Sequence, residues 1–226
     1  MKMTCTGVLA ALLAGTSLAT AADVTPQRLA NPEPQNWLMN HRTYDGQRYS
    51  PLARIDKSNV KNLKLAYAVP LGGTAGNEWS EATPLAEDGF LYITDSWGVL
   101  YKIDARAGDV GRIVWRMDPK QERQQANRGA ALWGNLVITP ANGPARMIAT
   151  DKETGKVVWE TNVTFGSARM NNTGAPLVIK NKVLFGAAGS DAGWRGWIAA
   201  LDAATGKREW PIKLILARIS SMLFST

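Results

Sequence analysis

Residues 148–159 read IATDKETGKVVW, and the same phrase occurs twice more, as YKIDARAGDVGRIVW at 101–115 and IAALDAATGKREW at 198–210. Each copy runs an apolar strand into an aspartate, turns at a glycine and climbs a second strand to a tryptophan. The aspartates, Asp104, Asp151 and Asp202, lie 47 and 51 residues apart. The residue types explain the local shape. An aspartate side chain accepts hydrogen bonds from backbone amides two residues on, glycine tolerates the positive φ of a tight turn, and β-branched residues favour the strand that follows. Tryptophan has a large apolar face and one N–H to satisfy, which suits docking between neighbouring sheets.

Between these phrases lie more strands in pairs. PLAEDGFLYITDS (84–96), AALWGNLVITPANG (130–143) and APLVIKNKVLFGAAG (175–189) each read as strand, short polar turn and strand, turning at Asp88-Gly89, Gly134-Asn135 and Lys180-Asn181-Lys182. Four short antiparallel strands per unit, repeated three times at such a period, predict an all-β propeller. No segment of 23–210 shows a helical stripe. Ahead of the repeats, residues 23–70 form a turn-rich lead-in, with a helix start at Asp56 or Ser58 and an alternating outer strand, KLAYAV (64–69). Residues 71–210 hold about three blades, too few to close a ring of four to eight blades. Beyond Trp210 the pattern changes: PIKLILARISSMLFST (211–226) starts with proline and takes on a helix-like apolar pattern. The break reads as a frameshift or truncation near residue 211.

The bulk composition narrows the function classes. A net charge of +7 comes from 26 basic and 19 acidic residues scattered among one another. With no dense basic run, a nucleic-acid partner is not expected. Lys2, the short apolar run VLAALLAGTSLAT (8–20) and the small residues Ala19-Thr20-Ala21 read as a signal peptide over 1–22. That implies a periplasmic protein with no stable membrane span once the leader is removed. Cleavage there also removes Cys5, the only cysteine. A disulfide framework, a cysteine zinc site and a cysteine nucleophile are thereby excluded. His41 is the only histidine, so a Ser-His-Asp triad or histidine-rich metal site is not expected; in its polar stretch it reads as a solvated or structural residue.

The remaining motifs resemble a known family, the quinoprotein alcohol dehydrogenases, periplasmic enzymes that use pyrroloquinoline quinone (PQQ) and a bound calcium or lanthanide ion. The resemblance rests on Trp37, Tyr44, RYSPL (48–52), Ile55, Asn59-Val60 and Leu63 in the lead-in. It continues through EATPL (81–85), NRG (127–129), TGAP (173–176) and GAAGSDAGWRG (186–196), besides the three Asp-Gly-Trp phrases. The family is an eight-bladed propeller. PQQ is a planar tricarboxylate quinone, so its site must match negative charge and polarise a carbonyl. The resemblance implies that Arg128 contacts the ortho-quinone edge, a role suited to a permanently charged fork of N–H donors. It likewise implies that Thr173 offers a hydroxyl to a carboxylate, that Glu81 faces the carboxylate rim, and that the Gly189-Ser190 backbone approaches closely. Asp191 falls where the family usually carries a glutamate metal ligand, an acceptable exchange for a hard cation. Trp115, Trp159 and Trp210 are structural, and Trp194 and Trp197 are expected to pack.

The family oxidises a small alcohol and passes electrons to a cytochrome c. Two departures stand out. Its paired cysteines upstream of Asn-Arg-Gly are replaced by Arg123-Gln-Gln-Ala126, and its catalytic aspartate, metal-binding asparagine and stacking tryptophan lie beyond the third blade. No catalytic residue is therefore assigned, and the chain alone is expected not to turn over. The alternative reading is a non-enzymatic propeller of the same repeats that serves as a protein-binding scaffold.

Overall fold

The computed structural model describes residues 23–72, 80–165, 171–187 and 196–213. The leader-like residues 1–22, along with Gly189, Ser190, Asp191 and Trp194, lie outside the described residues. Among the described residues, twelve strands form three four-stranded antiparallel sheets, each in simple sequential order. The first holds β1 (Leu85–Glu87), β2 (Phe90–Thr94), β3 (Leu100–Asp104) and β4 (Arg112–Met117). The second holds β5 (Ala131–Trp133), β6 (Leu136–Ala141), β7 (Arg146–Asp151) and β8 (Val157–Asn162), and the third β9 (Leu177–Ile179), β10 (Lys182–Ala187), β11 (Trp197–Asp202) and β12 (Arg208–Lys213). These are three blades of a propeller, as the repeats predict.

Two-residue turns join the first pair of strands in every blade at the predicted places. Asp88 and Gly89 both have positive φ, 50° and 82°, the backbone whose twist matches the flanking strands. The three repeat aspartates each end the third strand of a blade. Asp151 accepts from the amides of Glu153 and Thr154, and Asp202 from that of Thr205. In the first blade Asp104 takes a fork from Arg106 as well as its amide. That fork holds the Asp104 carboxyl down at about 2.

The blades join through the repeat tryptophans. Trp115 Nε1 donates to the carbonyl of Lys152 at 3.0 Å, and Trp159 Nε1 to that of Ala203 at 3.0 Å. Both acceptors are the residue after the repeat aspartate of the next blade. The indole packs closely on that blade's turn: a Cβ on Gly155 would sit 2.8 Å from the Trp115 ring, and one on Gly206 2.5 Å from that of Trp159. Each glycine thus serves twice, through its φ of +71° or +69° and through the space its missing side chain leaves. A register shift precedes each tryptophan, so that Val114, Val158 and Glu209 are left out of the pairing. Such a bulge bends the outer strand and re-aims the side chain after it.

The core lies between blades. All six residues of β6 are buried, because the middle blade is covered on both faces, whereas the outer strand β8 is largely exposed. Trp197 packs edge-on against Phe165 and Phe185, with ring centres 4.7 and 5.6 Å away. A buried ion network also crosses the first blade junction. Lys152, fully buried, donates to both oxygens of Glu87 at 3.1 and 2.9 Å, and Arg28 reaches the same carboxylate at 2.9 Å. Lys102 caps the Lys152 carbonyl at 2.8 Å and sits over the Phe90 ring; burial pushes its ammonium below the ordinary lysine value.

The lead-in includes a short helix, α1 (Pro26–Ala30), capped by Thr25 and started by proline. Five residues are too few to show a stripe in the sequence, so this element was not predicted. Val24 bridges Gly134 and Trp37 bridges Ala86, which fixes the lead-in to the first two blades. The expected helix start at Asp56 is a single 3-10 turn, Val60–Asn62. Val69 and Leu71 pack on the first blade, and a Cβ on Gly111 would sit 2.6 Å from the Tyr67 ring. The outer strand expected at KLAYAV (64–69) does not form: the segment is irregular and joins no sheet among the described residues.

Candidate functional site

Glu81, Arg128 and Thr173 occupy the same place in three successive blades, three or four residues ahead of β1, β5 and β9. Repetition of the blade therefore brings residues 81, 128 and 173 to one end of the sheets. Backbone bonds tie the loops directly: Thr83 N donates to Arg128 O at 3.3 Å, and Arg128 N to Thr173 O at 3.1 Å. Ser80 pairs with Asn127 in a parallel bridge.

The side chains follow. Arg128 Nη1 donates to Thr173 Oγ1 at 2.8 Å, and Nη2 reaches Glu81 Oε2 at 2.8 Å. All three predicted residues that fall within the described chain are thus joined through one guanidinium. Glu81 and Thr173, 92 positions apart in the sequence, meet only through Arg128.

The neighbours of Arg128 show why the sequence reads Asn-Arg-Gly. Asn127 is buried and bonded at both ends of its amide: its Oδ1 accepts from Thr94 Oγ1 at 2.8 Å and Gly129 N at 2.9 Å, and its Nδ2 donates to Pro140 O. Gly129 has a φ of +117°, and a Cβ there would lie 3.1 Å from the Thr83 carbonyl. One residue anchors the loop, the next projects a cation, and the third lets two backbones meet. The Thr173 loop is anchored in a similar way. Asn142 Nδ2 donates to Asn172 O at 3.2 Å, and Asn172 N donates to Asn142 Oδ1 at 2.8 Å, both residues being buried.

These loops open onto a cavity of about 570 Å³ lined by Glu81 and Arg128, together with Asn40, His41, Tyr44 and Arg48 from the lead-in. The size suits a small organic ligand. Tyr44 Oη donates to Val178 O on the inner strand of the third blade, and Asn40 Nδ2 donates to Arg128 O. The lead-in therefore forms the opposite wall of the chamber. His41 is exposed and accepts from Arg48 Nε at its Nδ1, 2.8 Å away. Sequence reasoning placed none of these four residues at the site. No periodicity marks them, and their position depends on contacts with segments about 90 and 130 residues further along. Among the described residues no group of three or more acidic, histidine or cysteine side chains clusters as a metal site.

The donor set fits a planar polycarboxylate. A guanidinium held on two sides presents its remaining N–H groups in a set direction, and the Thr173 hydroxyl, which accepts from Arg128, keeps its own hydrogen to donate.

Residues 37–218 match the family profile described as glucose/ethanol/alcohol dehydrogenase, beta-propeller domain. The chain is 40% identical over 202 residues to the quinohemoprotein alcohol dehydrogenase ADH IIB of Pseudomonas putida, covering 86% of this chain and 28% of that protein. Among solved structures, it is similar to quinohemoprotein alcohol dehydrogenase ADHIIG of Pseudomonas putida HK5, with a TM-score of 0.75 and 37% identity over 85% of this chain and 29% of that one. It also resembles a europium-containing methanol dehydrogenase, with a TM-score of 0.72 and 29% identity, covering 83% and 33% of the two chains. The chain spans only part of the curated relatives it matches, between 24% and 34% of their lengths.

Proposed function

The chain belongs to the glucose/ethanol/alcohol dehydrogenase β-propeller family, and from that premise we propose that it supplies one wall of a PQQ site for oxidation of a primary alcohol. The observation that carries the reading is the Glu81–Arg128–Thr173 cluster, with Arg128 bonded to both partners at 2.8 Å beside a 570 Å³ cavity that Glu81 and Arg128 line. When bound, PQQ supplies a hydride acceptor for the alcohol carbon, with a calcium or lanthanide ion as Lewis acid. Arg128 binds and orients the quinone edge, and Thr173 donates to a carboxylate. Glu81 orders the carboxylate rim while holding Arg128 in place. The Gly189-Ser190 backbone is assigned to close approach, and Asp191 to the metal.

We assign no general base to this chain. Among the described residues lining the cavity, the one carboxylate, Glu81, is committed to Arg128. Turnover by this chain alone is accordingly not expected, and delivery to the periplasm and electron transfer to a cytochrome c belong to the same proposal. Among the described residues no helix is long and apolar enough to cross a membrane.

Titration of the full chain with PQQ tests the reading, following quenching of its tryptophan fluorescence. Saturable quenching that weakens at least about tenfold in Arg128→Ala supports it, since a charge-assisted bond is worth roughly 1.5–3 kcal/mol. Absence of quenching favours a protein-binding scaffold instead. Alcohol-dependent dye reduction by the chain with PQQ and calcium would sink the claim that it does not turn over.

A further inference from the structure

The chamber has a second arginine whose charge nothing in its surroundings matches. Arg48 Nε donates to His41 Nδ1 at 2.8 Å and its Nη2 donates to Asn40 Oδ1 at 3.1 Å. Neither acceptor is a carboxylate, and among the described residues no carboxylate lies within ion-pair distance of Arg48. Arg128, by contrast, is matched by Glu81. The residue is also held in an uncommon backbone, with a φ of 53°. A non-glycine residue there costs on the order of 1 kcal/mol or more, and such strain persists where the surroundings dictate the geometry. His41 and Asn40 grip two sides of the fork, and Asn40 continues the chain of bonds to the Arg128 carbonyl. The two arginines are thus linked through the wall of one cavity.

We propose that Arg48 is a ligand-binding residue of the chamber, providing the uncompensated positive charge that holds a carboxylate of the bound group, with His41 and Asn40 as its positioning residues. The inference rests on the cofactor reading above and extends it to the lead-in. A polycarboxylate ligand brings more negative charge than Arg128, already paired, can match. Arg48 keeps free N–H donors on Nη1 and Nη2, and the clamp sets its plane in advance, which lowers the cost of binding. The single histidine of the chain therefore acts as an acceptor that orients a cation.

The full chain and its Arg48→Gln, Arg48→Lys and Lys61→Gln variants are to be titrated with PQQ by fluorescence quenching, and with benzene-1,3,5-tricarboxylate by calorimetry, each at low and high salt. Arg48→Gln is expected to weaken PQQ at least about tenfold and to flatten the salt dependence, at an unchanged melting temperature. Arg48→Lys, with the charge but no fork, is expected to lose about threefold, and Lys61→Gln, remote from the cavity, nothing. If Arg48→Gln melts lower, Arg48→Lys decides. Wild-type PQQ affinity in both Arg48 variants overturns the proposal and leaves the cofactor reading standing. Binding of the simple tricarboxylate but not PQQ, still dependent on Arg48, keeps Arg48 as an anion site and removes the cofactor reading. Failure of the wild type to bind either compound removes both.

Discussion

The indole N–H of Trp159 donates to the carbonyl of Ala203, 44 residues further along, while its ring covers Gly206 closely enough that a Cβ there would lie 2.5 Å away. Trp115 stands in the same relation to Lys152 and Gly155. The glycine of the repeat is therefore constrained by the tryptophan of the blade before it as well as by its own turn, and the two constraints can be separated.

Gly206→Ala and Gly108→Ala make the comparison. Both glycines have positive φ, +69° and +80°, but Gly108 has nothing within 4 Å of its Cβ position. Gly108→Ala should cost only the backbone strain, about 1–2 kcal/mol. Gly206→Ala must also displace the Trp159 ring, and should cost at least about 2 kcal/mol more, in the range of overpacked cores. Urea unfolding of the two variants, read by tryptophan fluorescence, checks the difference; equal losses would refute the docking role.

Glu87 joins the first two blades by holding Lys152 and Arg28 in a buried site. Glu87→Gln leaves a fully buried ammonium without its anion and should destabilise by about 3–5 kcal/mol. The double variant Glu87→Leu with Lys152→Met removes both charges and should recover much of that loss. A double variant no more stable than Glu87→Gln would show that the network contributes more than the sum of its desolvation costs.

The Arg28 side chain also sets an acid sensitivity. Its hydrogen bond to Glu33 holds that carboxyl at about 2, below the usual carboxylate range. Because the folded value is depressed, the stabilisation is fully present above the unfolded glutamate value near 4.5 and is lost as pH falls through about 2. Glu33 is well exposed, so solvent screens the pair and the effect is modest. Glu33→Gln should lower melting temperature at pH 6 and have progressively less effect toward pH 2; a constant difference across that window would contradict the linkage.

Asn127→Ala tests how the site is held. The side chain makes three hydrogen bonds, to Thr94, Gly129 and Pro140, and its loss leaves buried partners unsatisfied at a cost of roughly 2–3 kcal/mol. With the loop loosened, PQQ affinity should fall about tenfold although Asn127 does not line the cavity. Stability loss with unchanged PQQ affinity would show that Arg128 keeps its place without that anchor.

The blades were legible in the sequence because their causes are local. Alternating apolar residues, an aspartate that bonds amides two residues on, and a glycine with positive φ act within a dozen positions, and the period of 47 to 51 residues repeats them. Glu81, Arg128 and Thr173 were legible through their motifs, and the structure joins them in one cluster. What only the tertiary structure decided lies in contacts between distant segments. The bulges before Trp115, Trp159 and Trp210 leave no mark in composition, yet one precedes the tryptophan of every repeat. Lys152 follows a turn aspartate and reads as a surface residue, but the neighbouring blade buries it against Glu87, 65 positions away. Asn40, His41 and Arg48 sit in a polar stretch without periodicity, and they become a wall of the chamber only because Tyr44 and Asn40 bond to the third and second blades. A sequence determines by itself what its near neighbours enforce; the placement of one polar loop against another follows from the packing of whole blades.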